Sequence, residues 1–460
     1  MRVLLVQPPV HPAGDRSVLL PPLGLAYLAA VAREAGHEVD LIDARAAGLS
    51  VDDLRDRAPA GRYDLIGLTG TTPGAAGLEA AARALAGRGH TLIAGGPHAT
   101  AVPGDLFEAA PAIDWIARGE AEALLLEVLE ALEQGRALDR IEGLAAPGAP
   151  GRIRSPEDDL DRLPWPARDL LPREAYRHPL ARAHPLTSMI SSRGCTQACL
   201  FCDRSVSGRT WRARSAGLVV AEMLALAAEG YAELMMYDDD FLADEERAGE
   251  IAEALAVAGA PLAWSCEARP VARDARLYRE LRAAGCQRIA FGVDAATAAG
   301  LRELNKNLDP DEAAGALAAA REAGLQTLAY FVIGLQSEPP AADHALARAC
   351  ELDPDFAQFS ALSPYPGSPL YKLARDRGLL RSDPGASGPA DLGASRPYVA
   401  LGDWDGRQLS AALARAYSGF YGRPGYLLRR LIRVRSPAEL VGLTRGANRL
   451  AAWRGGRAAG

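Results

Sequence analysis

The sequence predicts an α/β protein: two successive series of strand–helix units, closed by a small, mainly helical end. Three observations predict it. Short, continuous apolar runs alternate with helical patterns from the first residues to about position 135. The same alternation resumes at Thr187, after a stretch rich in Pro, Asp and Arg, and it breaks off after about Leu370. In the first series the strands are largely continuous apolar runs, which marks strands buried on both faces, as in parallel sheets covered by helices.

In the first series, Val3–Val6, Val39–Ile42, Leu65–Thr69, Leu92–Ala94 and Ile113–Ile116 read as strands. Helices are predicted over Leu23–Ala35, stopped by Gly36, over Ala75–Leu85 and over Glu120–Leu132. Together they make a doubly wound, Rossmann-like sheet over residues 1–138. Ligands of such sheets sit at the carboxyl ends of the strands, here Gln7–Gly14, Gly70–Gly74 and Gly95–Thr100. Residues 139–185 lack clean periodicity and read as a linker packed across two domains.

In the second series, Thr187–Ser191, Glu233–Tyr237, Pro261–Ser265, Arg288–Gly292, Thr327–Ile333 and Asp355–Ala361 read as strands. Leu218–Ala228, Glu245–Ala258 and Asp311–Ala323 read as helices between them, the last with Asp309 as N-cap and Pro310 at its first position. Six units over residues 186–375 predict a partial (β/α)6 TIM-type barrel, whose chemistry sits at the carboxyl ends of the strands. In the C-terminal region, 376–460, residues 378–400 read as loop and Gln408–Tyr417 and Tyr426–Val434 as helices.

No apolar run reaches the length of a membrane span, and the start lacks a small-residue cleavage site. A cytoplasmic setting is expected. Six cysteines are too few for a disulfide framework. The last forty residues hold nine Arg against Glu439 alone, in a chain of net charge −7. A basic end on an acidic body fits either a solvated helical face or contact with an anionic partner, including peripheral contact with a lipid surface. Nothing points to nucleic acid.

Three cysteines, Cys195, Cys199 and Cys202, fall within eight residues, spaced C-x3-C-x2-C just after the first barrel strand. A [4Fe–4S] cluster ordinarily takes four cysteines. With three, one iron stays open. Structural zinc is the alternative, but zinc prefers four protein ligands, often as paired motifs. No second C-x2-C exists, and His178 and His184 precede the motif. Over roughly residues 187–372 the sequence resembles the radical S-adenosylmethionine (SAM) superfamily, in which SAM chelates the open iron. The resemblance implies a [4Fe–4S] cluster, SAM, and a one-electron reductant such as flavodoxin or ferredoxin. It also implies SAM contacts from Asp238 and Asp239 in the run Tyr237–Phe241, from Asp294, where relatives often carry Glu, and from Gly334 and Glu338. Many relatives carry Pro where Gln336 stands. Asp in the 238–240 run also suits a helix N-cap.

The first series resembles the cobalamin (B12)-binding domain fused ahead of many radical SAM barrels. The resemblance lies in Gln7-Pro8-Pro9, Pro21–Leu28, Gly67–Thr72, Gly95–Thr100 and Arg118-Gly119-Glu120. It implies cobalamin contacts from Thr69, Thr71, Thr72, Gly95, Gly96 and His98. His11 stands in the H-x-x-G half of a cobalt-ligand motif whose orienting Asp is absent here.

The C-terminal run Phe420–Arg430 resembles the subgroup with anaerobic Mg-protoporphyrin cyclase and hopanoid-modifying enzymes. The implied reaction is methylation of an unactivated carbon of a natural product or lipid. In the family, SAM methylates cobalamin, and a second SAM yields the 5′-deoxyadenosyl radical. The alternative is radical oxidative cyclisation or rearrangement of a porphyrin-like, lipid or natural-product substrate. A cobalamin sensor without catalysis would not need the cysteine triad. Candidates for hydrogen or proton donation are Cys266 and Glu267, after the third strand, and Tyr365. A packed Cys or a turn aromatic are the plainer readings of Cys266 and Tyr365.

Overall fold

The computed structural model describes residues 1–9, 18–379 and 404–432. The first sheet runs β2-β1-β3-β4-β5-β6, with β1 Arg2–Gln7, β2 Glu38–Asp43, β3 Leu65–Thr69, β4 Thr91–Gly95, β5 Trp115–Ala117 and β6 Leu144–Ala145. The first five strands are parallel, with Val3 of β1 between Val39 and Leu65. Successive β1 side chains serve opposite cores, because a strand alternates its faces. Val3 and Leu5 pack among Leu25, Ala29, Val128 and Leu129, and Leu4 and Val6 pack among Leu78, Ala82 and Leu85.

The antiparallel edge strand β6 falls in the stretch read as linker. Two residues carry no period, so no pattern announces it. The rest of that stretch binds both halves. Ala167 N–H donates to the Ala26 carbonyl at 3.0 Å, and Arg168 Nη2 donates to the Ser188 carbonyl at 2.9 Å.

The second sheet runs β14-β13-β12-β11-β10-β7, all parallel, with β7 Leu186–Met189, β10 Glu233–Met236, β11 Ala263–Ala268, β12 Cys286–Asp294, β13 Gln326–Ile333 and β14 Phe356–Ala361. A small antiparallel pair, β8 Ser192–Arg193 with β9 Arg212–Ala213, stands beside it. One face of each strand lies under helices: Trp264, Cys266, Ile289, Phe291, Ala329, Phe331 and Phe359 share a core with Ile251, Leu281, Leu317 and Phe420. The alternate residues face inward.

The sheet is open, so β14 is an edge, and unpaired edge groups invite pairing with another chain. Here the helix Gly406–Tyr421 covers it. The Tyr417 hydroxyl accepts from Phe359 N–H at 3.2 Å and donates to its carbonyl at 3.1 Å. The Tyr421 hydroxyl does the same with Ala357, at 3.1 and 2.8 Å.

Most expected elements appear with ends moved by a few residues. β11 begins at Ala263 and runs to Ala268, so Cys266 and Glu267 lie inside it. The fifth strand is Trp115–Ala117, because Ile113 turns into the core before pairing begins. The final helix is Pro424–Ile432. His11, residues 433–460 of the basic tail and most of the expected 378–400 loop lie outside the described residues.

Candidate functional site

The cysteines occupy the loop between β8 and β9. Its entry is Gly194, at φ +81°, where a Cβ would collide with the Thr210 carbonyl oxygen. Only glycine satisfies both constraints. Leu200 N–H donates to the Leu304 carbonyl at 2.8 Å, Leu370 N–H donates to the Leu200 carbonyl at 2.8 Å, and Asn305 Nδ2 donates to the Ala198 carbonyl at 2.8 Å. Leu200 and Phe201 pack on Leu301, Leu304, Val332 and Leu370. The peptide between the cysteines is thus pinned.

All three thiols are free and partly buried. Burial pushes the Cys199 thiol up, against the pull of Lys306; burial, then Asp239, push Cys202 up to about 12. Thiolate formation there needs a cation, and metal binding to thiols releases their protons. Among the described residues no three His, Cys, Asp or Glu side chains converge as for a single ion. A cubane differs from a single ion, since each thiolate takes its own iron. Arg204, which faces Cys202 and Asp239, has a buried Nη1 without a hydrogen-bond partner among the described residues. Thiols close enough to raise one another, beside an unsatisfied guanidinium, fit a cluster with net negative charge.

The SAM-contact candidates separate. Asp238 is wholly committed: its carboxylate accepts from Ser191 N–H at 2.7 Å and from the hydroxyls of Ser191 and Ser192 at 2.5 and 2.7 Å. It fastens the end of β10 to the bend before the cysteines. Asp239 accepts from Gly194 N–H, and burial, with Asp238 next, raises its carboxyl. Asp294, at φ +67°, pairs with Lys306, which also donates to the Gly292 carbonyl at 2.6 Å. Glu338 Oε1 accepts from Ala296 N–H, Thr297 N–H and the Thr297 hydroxyl at 2.9, 2.8 and 2.8 Å. That oxygen organises the turn after β12. Gly334, at φ +116°, follows β13 against Leu409.

The two catalytic candidates on β11 point opposite ways. Cys266 lies in the helix-facing core beside Cys286, where burial raises its thiol well above the usual range. A thiol sealed there has no access to substrate, which corrects its candidacy. Glu267 faces inward. Tyr365 lies in the turn after β14, where its carbonyl accepts from Ser368 N–H and Oγ at 3.0 and 2.7 Å.

On the first sheet, Thr69, Thr71, Thr72, Gly95, Gly96 and His98 meet at the carboxyl ends of β3 and β4. Gly96 takes φ +87° beside Thr69 Oγ1, and His98 Nδ1 lies 3.2 Å from Thr72 Oγ1. Burial lowers the His98 pKa. Hydroxyls and strand-end amides suit the amide side chains of a corrin.

One feature escaped sequence reasoning. Glu120 and Glu122 follow the carboxyl end of β5; Arg193 and Arg212 flank the cysteine loop. Arg212 Nη2 donates to Glu120 at 2.7 Å and Arg193 Nη2 to Glu122 at 2.7 Å; Arg193 also lies over the Tyr27 ring. Behind them Glu222 pairs with Arg168 at 2.7 Å and with Arg214. The carboxyl edges of the two sheets are therefore held against each other. The signal available was Glu222, one acid within the apolar run AGLVVAEMLALAA.

These edges, one lined by glycine and threonine and the other by three cysteines, define the class, and the chain belongs to the radical SAM enzymes that carry a B12-binding domain. The B12 binding domain family matches residues 13–129, and the Radical SAM superfamily matches residues 189–347. The chain is similar to an uncharacterized methyltransferase of Pyrococcus horikoshii, 32% identical over 441 residues, covering 93% of this chain and 94% of that one. It is 28% identical over 396 residues to the anaerobic magnesium-protoporphyrin IX monomethyl ester cyclase of Rubrivivax gelatinosus, covering 82% and 70%. Its fold matches the radical SAM methyltransferase TsrM of Kitasatospora setae, solved with cobalamin and a [4Fe–4S] cluster, at TM-score 0.70 and 19% identity over 92% and 89% of the two chains. The family implies a [4Fe–4S] cluster, SAM and cobalamin as cofactors. Among the described residues no helix is long and apolar enough to cross a membrane.

Proposed function

We propose that this chain methylates an unactivated carbon of a small molecule or lipid-like substrate. Residues 186–375 would hold the cluster on Cys195, Cys199 and Cys202 with SAM at the same strand ends, and residues 1–138 would hold cobalamin near Thr69, Thr71, Thr72, Gly95, Gly96 and His98. Residues 139–185 would link these two parts, and the helices Gly406–Tyr421 and Pro424–Ile432 would belong to a C-terminal region, 376–460. When bound, the cluster and SAM supply a 5′-deoxyadenosyl radical, and cobalamin carries the methyl group.

The observation that carries this reading is the meeting of the two carboxyl edges through Arg193, Arg212, Glu120 and Glu122. A substrate carbon must meet both cofactors within one enclosure, and neither edge alone provides that. The protein's own tasks follow. Gly194 and the Leu304 carbonyl shape the cysteine loop. Asp238 locks that loop to β10, Lys306 and Asp294 hold the end of β12, and Glu338 orders the turn after it. Leu200, Phe201 and Leu370 keep water from the loop's underside.

The supporting partners are a flavodoxin- or ferredoxin-type reductant in the cytoplasm and, for the arginine-rich tail, an anionic lipid surface. The test is product mass after anaerobic turnover with SAM. A gain of about 14 mass units, the CH2 that a cofactor-borne methyl adds, supports methylation. Loss of hydrogen without added carbon means oxidative cyclisation instead.

A further inference from the structure

The far half of the cysteine loop holds polar groups that the chain leaves without partners. Arg204 Nη1, Ser205 Oγ and Trp211 Nε1 are buried atoms with no hydrogen bond among the described residues. All three fall within one short stretch of the loop between β8 and β9. Native proteins keep few such groups unless a bound species supplies the partner, because leaving a buried donor unmet costs its desolvation.

The loop fixes where these side chains start. Arg204 stands two residues beyond Cys202, and its carbonyl accepts from Gly208 N–H at 3.0 Å. Between them Asp203 Oδ1 accepts from Ser205 N–H at 2.9 Å and lies against Gly367, in the turn after β14, where a Cβ would collide with it. At the other end, β9 pairs Arg212 with Arg193. That register brings Trp211 beside Gly194, the residue before Cys195. Arg204 and Trp211 therefore flank the triad from its two ends.

Three cations bear on the thiols, and two of them are engaged elsewhere. Lys306, beside Cys199, is held by Asp294 and by the Gly292 carbonyl. Arg269, also beside Cys199, donates to the Asn307 carbonyl. Arg204, beside Cys202, is the one with a buried N–H to spare. Its Nη1 is closed off from solvent next to the loop that wraps the thiols, so the acceptors a cluster brings within its reach are sulfurs. Hydrogen bonds to sulfur and the charge around a cluster set its reduction potential. An added electron makes the sulfurs better acceptors, so a cationic donor favours the reduced state.

We propose that Arg204, with Trp211 as a second donor, hydrogen-bonds the cluster's sulfurs and raises its potential, easing the one-electron transfer from a flavodoxin- or ferredoxin-type reductant. This rests on the reading of Cys195, Cys199 and Cys202 as the cluster's ligands.

The test is the midpoint potential of the cluster in the full, anaerobically reconstituted chain, followed by electron paramagnetic resonance during a redox titration without SAM. Arg204→Gln should disfavour the reduced cluster about tenfold, a downward shift of about 59 mV for one electron. Arg204→Lys keeps the charge and should shift the potential less. Trp211→Phe keeps a ring and loses the N–H, and it should also move the potential down. Iron and sulfide contents show which variants are loaded. Should Arg204→Gln fail to load, Arg204→Lys and Trp211→Phe decide the matter. An unchanged or raised potential in loaded Arg204→Gln, or in both other variants where that one does not load, would overturn the proposal. So would an unmoved potential with weakened SAM binding by calorimetry, since Arg204 would then serve the SAM carboxylate. A wild-type chain that takes up no iron would refute the cysteine reading itself, and the proposal with it.

Discussion

Replacing Glu120 by Gln removes one charge from the joint between the two sheets and keeps its volume. Glu120 is 6% exposed, against 5% for Arg212 and 10% for Arg193. Its carboxylate accepts from Arg212 at 2.7 and 3.1 Å and lies 3.4 Å from Arg193. Breaking a buried pair from one side costs about 3–5 kcal/mol, because the partner charge is left uncompensated. Two features pull toward the lower end: Arg193 keeps Glu122, and Arg212 keeps the carbonyls of Glu157 and Ser207. About 3 kcal/mol corresponds to somewhat over a hundredfold in the opening equilibrium of the joint. Native-state hydrogen exchange of the cluster-free protein reads this locally and needs no two-state unfolding of a multidomain chain. Amides over 190–214 should exchange more than a hundredfold faster, while those of β12 and β13 hold. Glu79→Gln, which breaks an exposed pair with Arg83 at 3.9 Å, should change nothing beyond about 0.5 kcal/mol. A change under about tenfold in Glu120→Gln would refute the argument and place the joint's stability in its apolar contacts.

Three further outcomes follow from the same geometry. Gly194→Ala places a Cβ against the Thr210 carbonyl in a left-handed conformation, so it should cost at least about 1–2 kcal/mol and lower the iron retained after reconstitution; full iron loading would contradict this. Glu338→Ala leaves two backbone amides and a hydroxyl without their acceptor, and the melting transition of the cofactor-free chain should drop by the equivalent of about 2–4 kcal/mol. The Glu267 carboxyl titrates near 7 when folded and near 4.5 when unfolded. The folded state then binds more protons at this group between those values, so the contribution of Glu267 to stability is full below about pH 4.5 and falls by on the order of 3 kcal/mol as pH rises through 7. In urea across that range the stability difference between wild type and Glu267→Gln should shift against the wild type by that amount as pH rises, and a difference that stays constant would contradict the reasoning.

Much of this architecture was legible because it rests on pattern. Runs such as Val3–Val6 and Leu92–Ala94 are apolar throughout, and glycines punctuate the turns between elements. The cysteine spacing is local, so the loop could be found without the fold. What escaped notice depends on contacts far apart in sequence. Arg193 meets Glu122 across 71 positions, and nothing in either neighbourhood announces the other. Cys266 and Glu267 are adjacent in sequence, and only the phase of β11, displaced by a few residues from the expected strand, decides that one enters the helix-facing core and the other the opposite face of the sheet. Asp238 and Glu338 read equally well as ligand contacts or as fasteners. Their hydrogen bonds to Ser191, Ser192 and Thr297 show the fastening.

The central claim is that one chain brings an iron–sulfur cluster and a cobalamin to facing edges. The measurement that tests it most directly is the iron, sulfide and cobalt content of anaerobically reconstituted protein, read with its absorption spectrum. The account predicts about four irons per chain, as for one cubane on cysteine thiolates, together with about one cobalt. Iron at that level with no cobalt, even after hydroxocobalamin is supplied, would contradict the claim.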